Sequence, residues 1–313
     1  MSFAFVFERM SELFIIMAIG YVSCRCGMID RDMRAKISSL VLNLSMPAMM
    51  LGSVLNAESL PPLDSILQLL TASLLSYAVL AAVALPAPWL LALPKGQRGA
   101  TRFALLFGNI AFIGYPVTRA MFGDAAVFYT TVFIMPFYPL AYSLGVAIIR
   151  GRGDGAQGAS GRLREVLMTP CLIAAVLTLI LSLTRWRGPA ILGRTCAMLG
   201  GITSPAALLV IGSSLAGMRA MDIFKNLRVY LLSAVKLLAA PLATCLAFRP
   251  FVSDPMLLGV ATVLAGMPPA TLASKRQLHS WALARAQSSG PWASMSSLFD
   301  VQKLIPFSSA ALA

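Results

Sequence analysis

A chain of 313 residues with 58% hydrophobic residues, only 12% charged residues and a mean hydropathy of +0.80 is too apolar for a soluble globular domain, where charged residues run at about 25%. It reads as an integral membrane protein. The net charge of +13 would suit nucleic acid, but the basic residues fall in short runs between apolar segments, with no RNP, zinc or basic-helix motif beside them, so nucleic acid is excluded as a partner.

The N-terminus has no positive n-region and no small-residue cleavage site, and Glu8, Arg9 and Glu12 do not suit the apolar core of a signal peptide. It reads as a retained first helix over 3–24. A basic loop with Arg25, Arg31, Arg34 and Lys36 follows. The second span covers 37–55 and contains Asn43 and Pro47; an acidic turn with Glu58 and Asp64 ends it. The third runs over 63–93, and its length with Pro86 and Pro88 implies tilt or an early end at the proline pair.

The fourth span, 101–122, is long enough to cross a bilayer, yet holds Gly108-Asn109-Ile110-Ala111-Phe112-Ile113-Gly114-Tyr115-Pro116 at its centre. Pro116 removes a backbone donor, and Gly108 and Gly114 let the chain leave helical geometry cheaply. Unwound backbone survives in a membrane only where protein or a water-filled cavity satisfies it, so this break points to a binding site at membrane depth. A fifth span follows over 126–149 with Pro136 and Pro139. The glycine-rich stretch 150–165 reads as a cytoplasmic linker, without the G-K-[ST] ending of a phosphate loop. Spans six to nine cover 166–183, 195–216 (with Pro205), 227–248 (with Lys236) and 255–274 (with Met267-Pro268-Pro269).

Basic residues concentrate at 25–36, 95–102, 150–164, 219–228 and 275–276, after the odd-numbered spans. The positive-inside rule then places those loops in the cytoplasm of a cell membrane and the N-terminus outside; Arg185, Arg187 and Arg194 are the exception. Cys24, Cys26, Cys171, Cys196 and Cys245 form no C-x-x-C pair, and His279 is the only histidine, so no metal site or cofactor is expected. The seventeen methionines read as core and lipid-facing filler.

The two halves echo each other. Pro47 and Pro205 lie in the second span of their halves, Pro116 and Pro268 interrupt the fourth, and five spans per half forces the second copy to enter from the opposite side. Paired interrupted helices in an inverted repeat point to a transporter's binding site. The expected division is a first five-helix repeat over 1–149, a linker over 150–165, and a second repeat over 166–274 made of helices six to nine.

The chain resembles the auxin efflux carrier family, in its bacterial malonate- and malate-permease branch, and is similar to plant PIN transporters. The stretches that carry the resemblance are Gly20-Tyr21 through Gly27-Met28-Ile29-Asp30, Leu42-Asn43-Leu44-Ser45-Met46-Pro47, Gly108-Asn109 through Gly114-Tyr115-Pro116, Pro205 through Gly212-Ser213-Ser214-Leu215-Ala216, and Met267-Pro268-Pro269-Ala270-Thr271. The resemblance implies an all-α membrane fold of two inverted five-helix repeats, whose proline-broken fourth and ninth helices cross at the substrate site. It also implies elevator-type alternating access and an organic-anion cargo, with a coupling proton or sodium ion and a homodimer left open as partners beside membrane lipid. One departure stands out. After Ser274 the family continues into a tenth apolar helix, whereas this chain turns polar at Lys275-Arg276-Gln277; a frameshift is the expectation for 275–313.

Each candidate residue has a plainer reading. Asn109 is either an interhelical amide or a ligand-facing group, whose NH2 suits a carboxylate beside the positive end of a half-helix; with Gly114, Tyr115 and Pro116 alongside it, the second is preferred. Met267, Pro268 and Pro269 either end a helix or break it. Asn43 with Pro47 is either a kink or part of the cavity wall. Lys236 is either a cargo contact, as ionisable groups deep in a span tend to be functional, or a side chain snorkelling to the interface. Glu8 and Glu12 form an interfacial cluster or a proton-linked carboxylate. The expected activity is secondary transport of a small organic anion. Its rivals are a channel, a non-transporting membrane sensor and a frameshifted chain without function; no H-E-x-x-H, G-x-S-x-G or paired catalytic carboxylates favour an enzyme.

Overall fold

Asp30 ends the short turn after the first helix and starts the second: its carboxylate accepts the Met33 N–H at 2.7 Å, the usual side-chain cap for a helix start. Helix one is Phe3–Arg25 and helix two Arg31–Leu55. In this computed structural model the described residues are 3–58, 60–93, 95–145, 148, 168–186, 188–216, 227–252 and 254–268. The stretch 150–165, Pro269 and 275–313 lie outside them. Every described element is helical.

Helix three runs through Leu63–Leu90 with its regular part ending at Ala84, just before Pro86, as its proline pair predicts. Helix four has two halves, Lys95–Leu106 and Ile110–Phe122. Helix five is Ala125–Leu140, helix six Pro170–Thr184 and helix seven Ala190–Ala216. Helix eight occupies 227–248 and helix nine is Pro255–Ala265. Four of these, helices two, three, seven and the Tyr230–Phe248 part of eight, are long and apolar enough to cross a membrane.

Three helices widen into a π turn at the same place relative to a proline: Val41–Ser45 before Pro47, Ile110–Gly114 before Pro116, and Val235–Ala239 before Pro241. Proline has no N–H to return to the preceding turn, and wider bonding lets the neighbouring amides find partners. The Met46 N–H reaches back to the Val41 carbonyl and the Ala240 N–H to Val235. In helix two this leaves the Leu42 carbonyl without a helical donor, and the buried Cys171 thiol of helix six donates to it at 3.0 Å.

The helices gather in two groups. Helix one packs along the second half of helix seven, while helix two packs on helix six and on the first half of seven. The first crossing is one of main chain against main chain. A Cβ on Gly20 would lie 2.8 Å from the Leu209 Cα, and one on Gly212 would lie 3.0 Å from the Met17 Cα. Arg34, only 6% exposed, fastens the two ends of this group by donating to the Ser213 carbonyl at 3.1 Å, near the C-terminus of helix seven where carbonyls lack helical partners. Helices three, four, five, eight and nine form the second group; it meets the first where the second half of helix four lies against helices one and seven and where helix five lies against helices two and six.

Some expected boundaries move. Arg31, Arg34 and Lys36 belong to helix two and not to a loop, because the Asp30 cap starts the helix there. Helix four begins at Lys95, before the apolar run expected from 101, since a polar segment can be helical outside the bilayer. Helix seven begins at Ala190 behind Pro189, five residues before the expected 195; Arg194 lies exposed on it and leaves the apolar face intact. Glu12 takes the interfacial role, paired with Arg9 at 3.0 Å on an exposed surface.

Candidate functional site

Helix four stops after Leu106 and restarts at Ile110. The break is at Phe107, Gly108 and Asn109 and not at Pro116, which lies inside the second half. A proline in the first turn of an α-helical stretch needs no donor, and the π turn before it absorbs the remaining mismatch. Asn109 caps the restart: its Oδ1 accepts the Phe112 N–H at 3.3 Å, which leaves its NH2 with no partner among the described residues. Asn109 is half-buried.

Helix nine stops in the same neighbourhood. Its last turn tightens, with the Gly266 N–H shared between the Thr262 and Val263 carbonyls and the Met267 N–H on Leu264, and the chain leaves helical geometry through Pro268. The break in helix four touches the end of helix nine. The Asn109 N–H donates to the Pro268 carbonyl at 2.8 Å, and Gly108 lies so close that an added Cβ would be 3.0 Å from the Met267 oxygen. Gly114 allows a second close contact one turn on, where a Cβ would be 2.8 Å from Leu264 Cδ2.

Helix eight braces both the break in helix four and the end of helix nine. Lys236 is 1% exposed and donates from Nζ to the Leu105 carbonyl at 2.8 Å, so the snorkelling alternative is overturned: the ammonium turns inward to the end of a half-helix whose last carbonyls carry partial negative charge. Five residues on, Pro241 Cγ lies 3.2 Å from where a Gly266 Cβ would be. Neither contact was read from the sequence. Pro241 at the same spacing after its π turn as Pro47 and Pro116 was the available signal.

Tyr115 is fully buried and its hydroxyl donates to Thr131 Oγ1 at 3.1 Å, while Thr130 and Thr118 on the same two helices are linked at 2.9 Å. These bonds tie the second half of helix four to helix five. Asn43 donates to Ser39 Oγ at 2.9 Å within its own helix, and its π turn packs mainly on helices six and seven; the geometry gives it no link to the break residues. Pro47 and Pro205 likewise sit in the first group. Pro269 lies outside the described residues. Among the described residues the buried charged side chains are Arg34 and Lys236, both cationic, and no cluster of metal-ligating side chains occurs.

A family model described as a membrane transport protein matches residues 5–275. The chain belongs to this family. It is the auxin efflux carrier family whose motifs the sequence resembles, and the match ends next to the point where the sequence turns polar. The transporter is also similar to a protein called an uncharacterized transporter from Methanothermobacter thermautotrophicus, at 25% identity over 282 residues, covering 85% of this chain and 86% of the relative. It is thus a multi-pass membrane protein of a transport family.

Proposed function

We propose that this transporter is a secondary carrier of a small organic anion, a carboxylate of the malonate, malate or auxin type, held at the crossing of helices four and nine. The observation that carries this reading is the Asn109–Pro268 backbone bond at 2.8 Å, which brings the break in helix four against the end of helix nine and leaves the Asn109 NH2 beside the start of a half-helix. An amide donor, the partial positive charge of that helix end and the absence of buried carboxylates among the described residues all favour an anion. The grouping of helices one, two, six and seven apart from three, four, five, eight and nine supports two bodies moving relative to one another, and the proline pattern supports an inverted repeat. The cytoplasmic face holds the basic loops and the N-terminus lies outside.

Counterflow in proteoliposomes tests the reading. A carrier preloaded with unlabelled malonate or malate accumulates the labelled anion transiently and saturably. Uptake that does not saturate supports a channel, and binding without counterflow supports a sensor.

A further inference from the structure

In an unbroken helix each amide bonds to the carbonyl four residues back, so the Asn109 N–H and the Leu105 carbonyl are each other's natural partners. In the structure they have exchanged them: the Asn109 N–H goes to Pro268, and the Leu105 carbonyl takes Lys236 Nζ, both at 2.8 Å. We propose that Lys236 is a positioning residue that holds helix four open, occupying the acceptor that would otherwise draw Asn109 back into a continuous helix.

Three further observations support this role. Arg9 pairs with Glu12 and Arg119 with Asp124; Lys236 is in neither pair, and its partner is a main-chain oxygen at a helix end. Lysine is also costly inside a membrane and is kept where it has work to do. Finally, the same helix places Pro241 against Gly266 at the end of helix nine, so the two contacts lie on either side of the π turn at Val235–Ala239. Lys236 acts on cargo through the shape of the crossing, and this consequence rests on the reading of the crossing as the cargo site.

The test uses the full-length protein in lipid nanodiscs without added carboxylate, so it is independent of cargo identity. Hydrogen exchange is followed over 103–112 and 260–268 in wild type, Lys236→Met and Lys236→Arg. The Met variant keeps the length and loses the donor; exchange over 103–112 slows as Asn109 returns to Leu105, exchange over 260–268, which loses the Asn109 bond, rises by about tenfold or more, the scale of a lost hydrogen bond, and helices one and seven keep their protection. The Arg variant stays near wild type. Wild-type exchange in the Met variant overturns the proposal, because a lysine that serves cargo alone leaves the cargo-free backbone untouched. Equal acceleration in helices one and seven, or an Arg variant that behaves as Met does, also overturns it. If the Met variant does not fold, Lys236→Leu replaces it: slower exchange over 103–112 with faster exchange over 260–268 supports the proposal, and acceleration everywhere or no change overturns it. Failure of counterflow with intact exchange behaviour would instead remove the anion reading alone.

Discussion

Asn109 and Pro268 share a main-chain hydrogen bond of 2.8 Å although they lie in different halves of the chain. Asn109 therefore has two separable tasks. Its Oδ1 caps a half-helix, and its NH2, without a partner among the described residues, is the group proposed to meet cargo.

Asn109→Asp separates them. Aspartate caps as well as asparagine does and suits the helix start electrostatically, so the melting temperature stays at or above wild type. The same carboxylate repels an anion, and affinity for the carried carboxylate falls by about tenfold or more. Asn109→Ala loses the cap as well, at about 1 kcal/mol of stability. Titrating the labelled anion in counterflow distinguishes the variants; an Asp variant with wild-type affinity would remove Asn109 from the site.

The approach of Gly114 to Leu264 is a size match across the crossing. Gly114→Ala places a methyl group against Leu264 Cδ2 and costs about 1–3 kcal/mol, lowering the melting temperature in detergent. Adding Leu264→Ala should recover part of that loss, with a coupling above about 0.5 kcal/mol between the two changes. Strictly additive melting shifts would show that the two residues do not touch.

Glycine also controls the other group, with less room to adapt. At Gly20 and Gly212 the obstacle is the backbone of the facing helix and not the end of a side chain, so Ala at either position parts the helices and costs at least the upper end of about 1–3 kcal/mol. Monodisperse protein is lost on size-exclusion chromatography. Gly201→Ala is the control, since nothing lies within 4 Å of its added Cβ; stability equal to wild type at Gly212→Ala would contradict the crossing.

Cys26 reports the orientation. It is exposed at the end of helix one, whereas Cys171 is buried. With the other cysteines changed to serine, a membrane-impermeant maleimide labels Cys26 in inside-out vesicles and leaves it unlabelled in intact cells. The reverse pattern would place the N-terminus in the cytoplasm.

The interruption of helix four was legible because glycine, asparagine and proline are conspicuous inside an apolar run, and the helices' existence followed from hydropathy. The location of the break was less so. Pro116 drew attention as the strongest helix breaker, yet the chain separates at Gly108 and Asn109 because the Pro268 carbonyl offers Asn109 another partner, a long-range contact that local residue preferences do not encode. Lys236 was noticeable as a cation deep in a span, but its acceptor is a main-chain oxygen 131 positions away, and a carbonyl leaves no mark on a sequence. The start of helix two was legible in Asp30 and passed over because the basic residues behind it resemble a loop.

The π turns carry a consequence for how these helices face the lipid. Each admits one residue more than a regular turn, and one residue corresponds to about 100° of rotation. Beyond Ser45, Gly114 and Ala239 the outward-facing stripe is therefore turned relative to the stripe that precedes it, and a fixed repeat projected along the whole helix colours the wrong side. Deleting a single residue within 41–45 would restore an ordinary spiral and keep Met46–Leu55 on its neighbours, so a one-codon loss there is tolerated better than the same loss in a regular part of the helix.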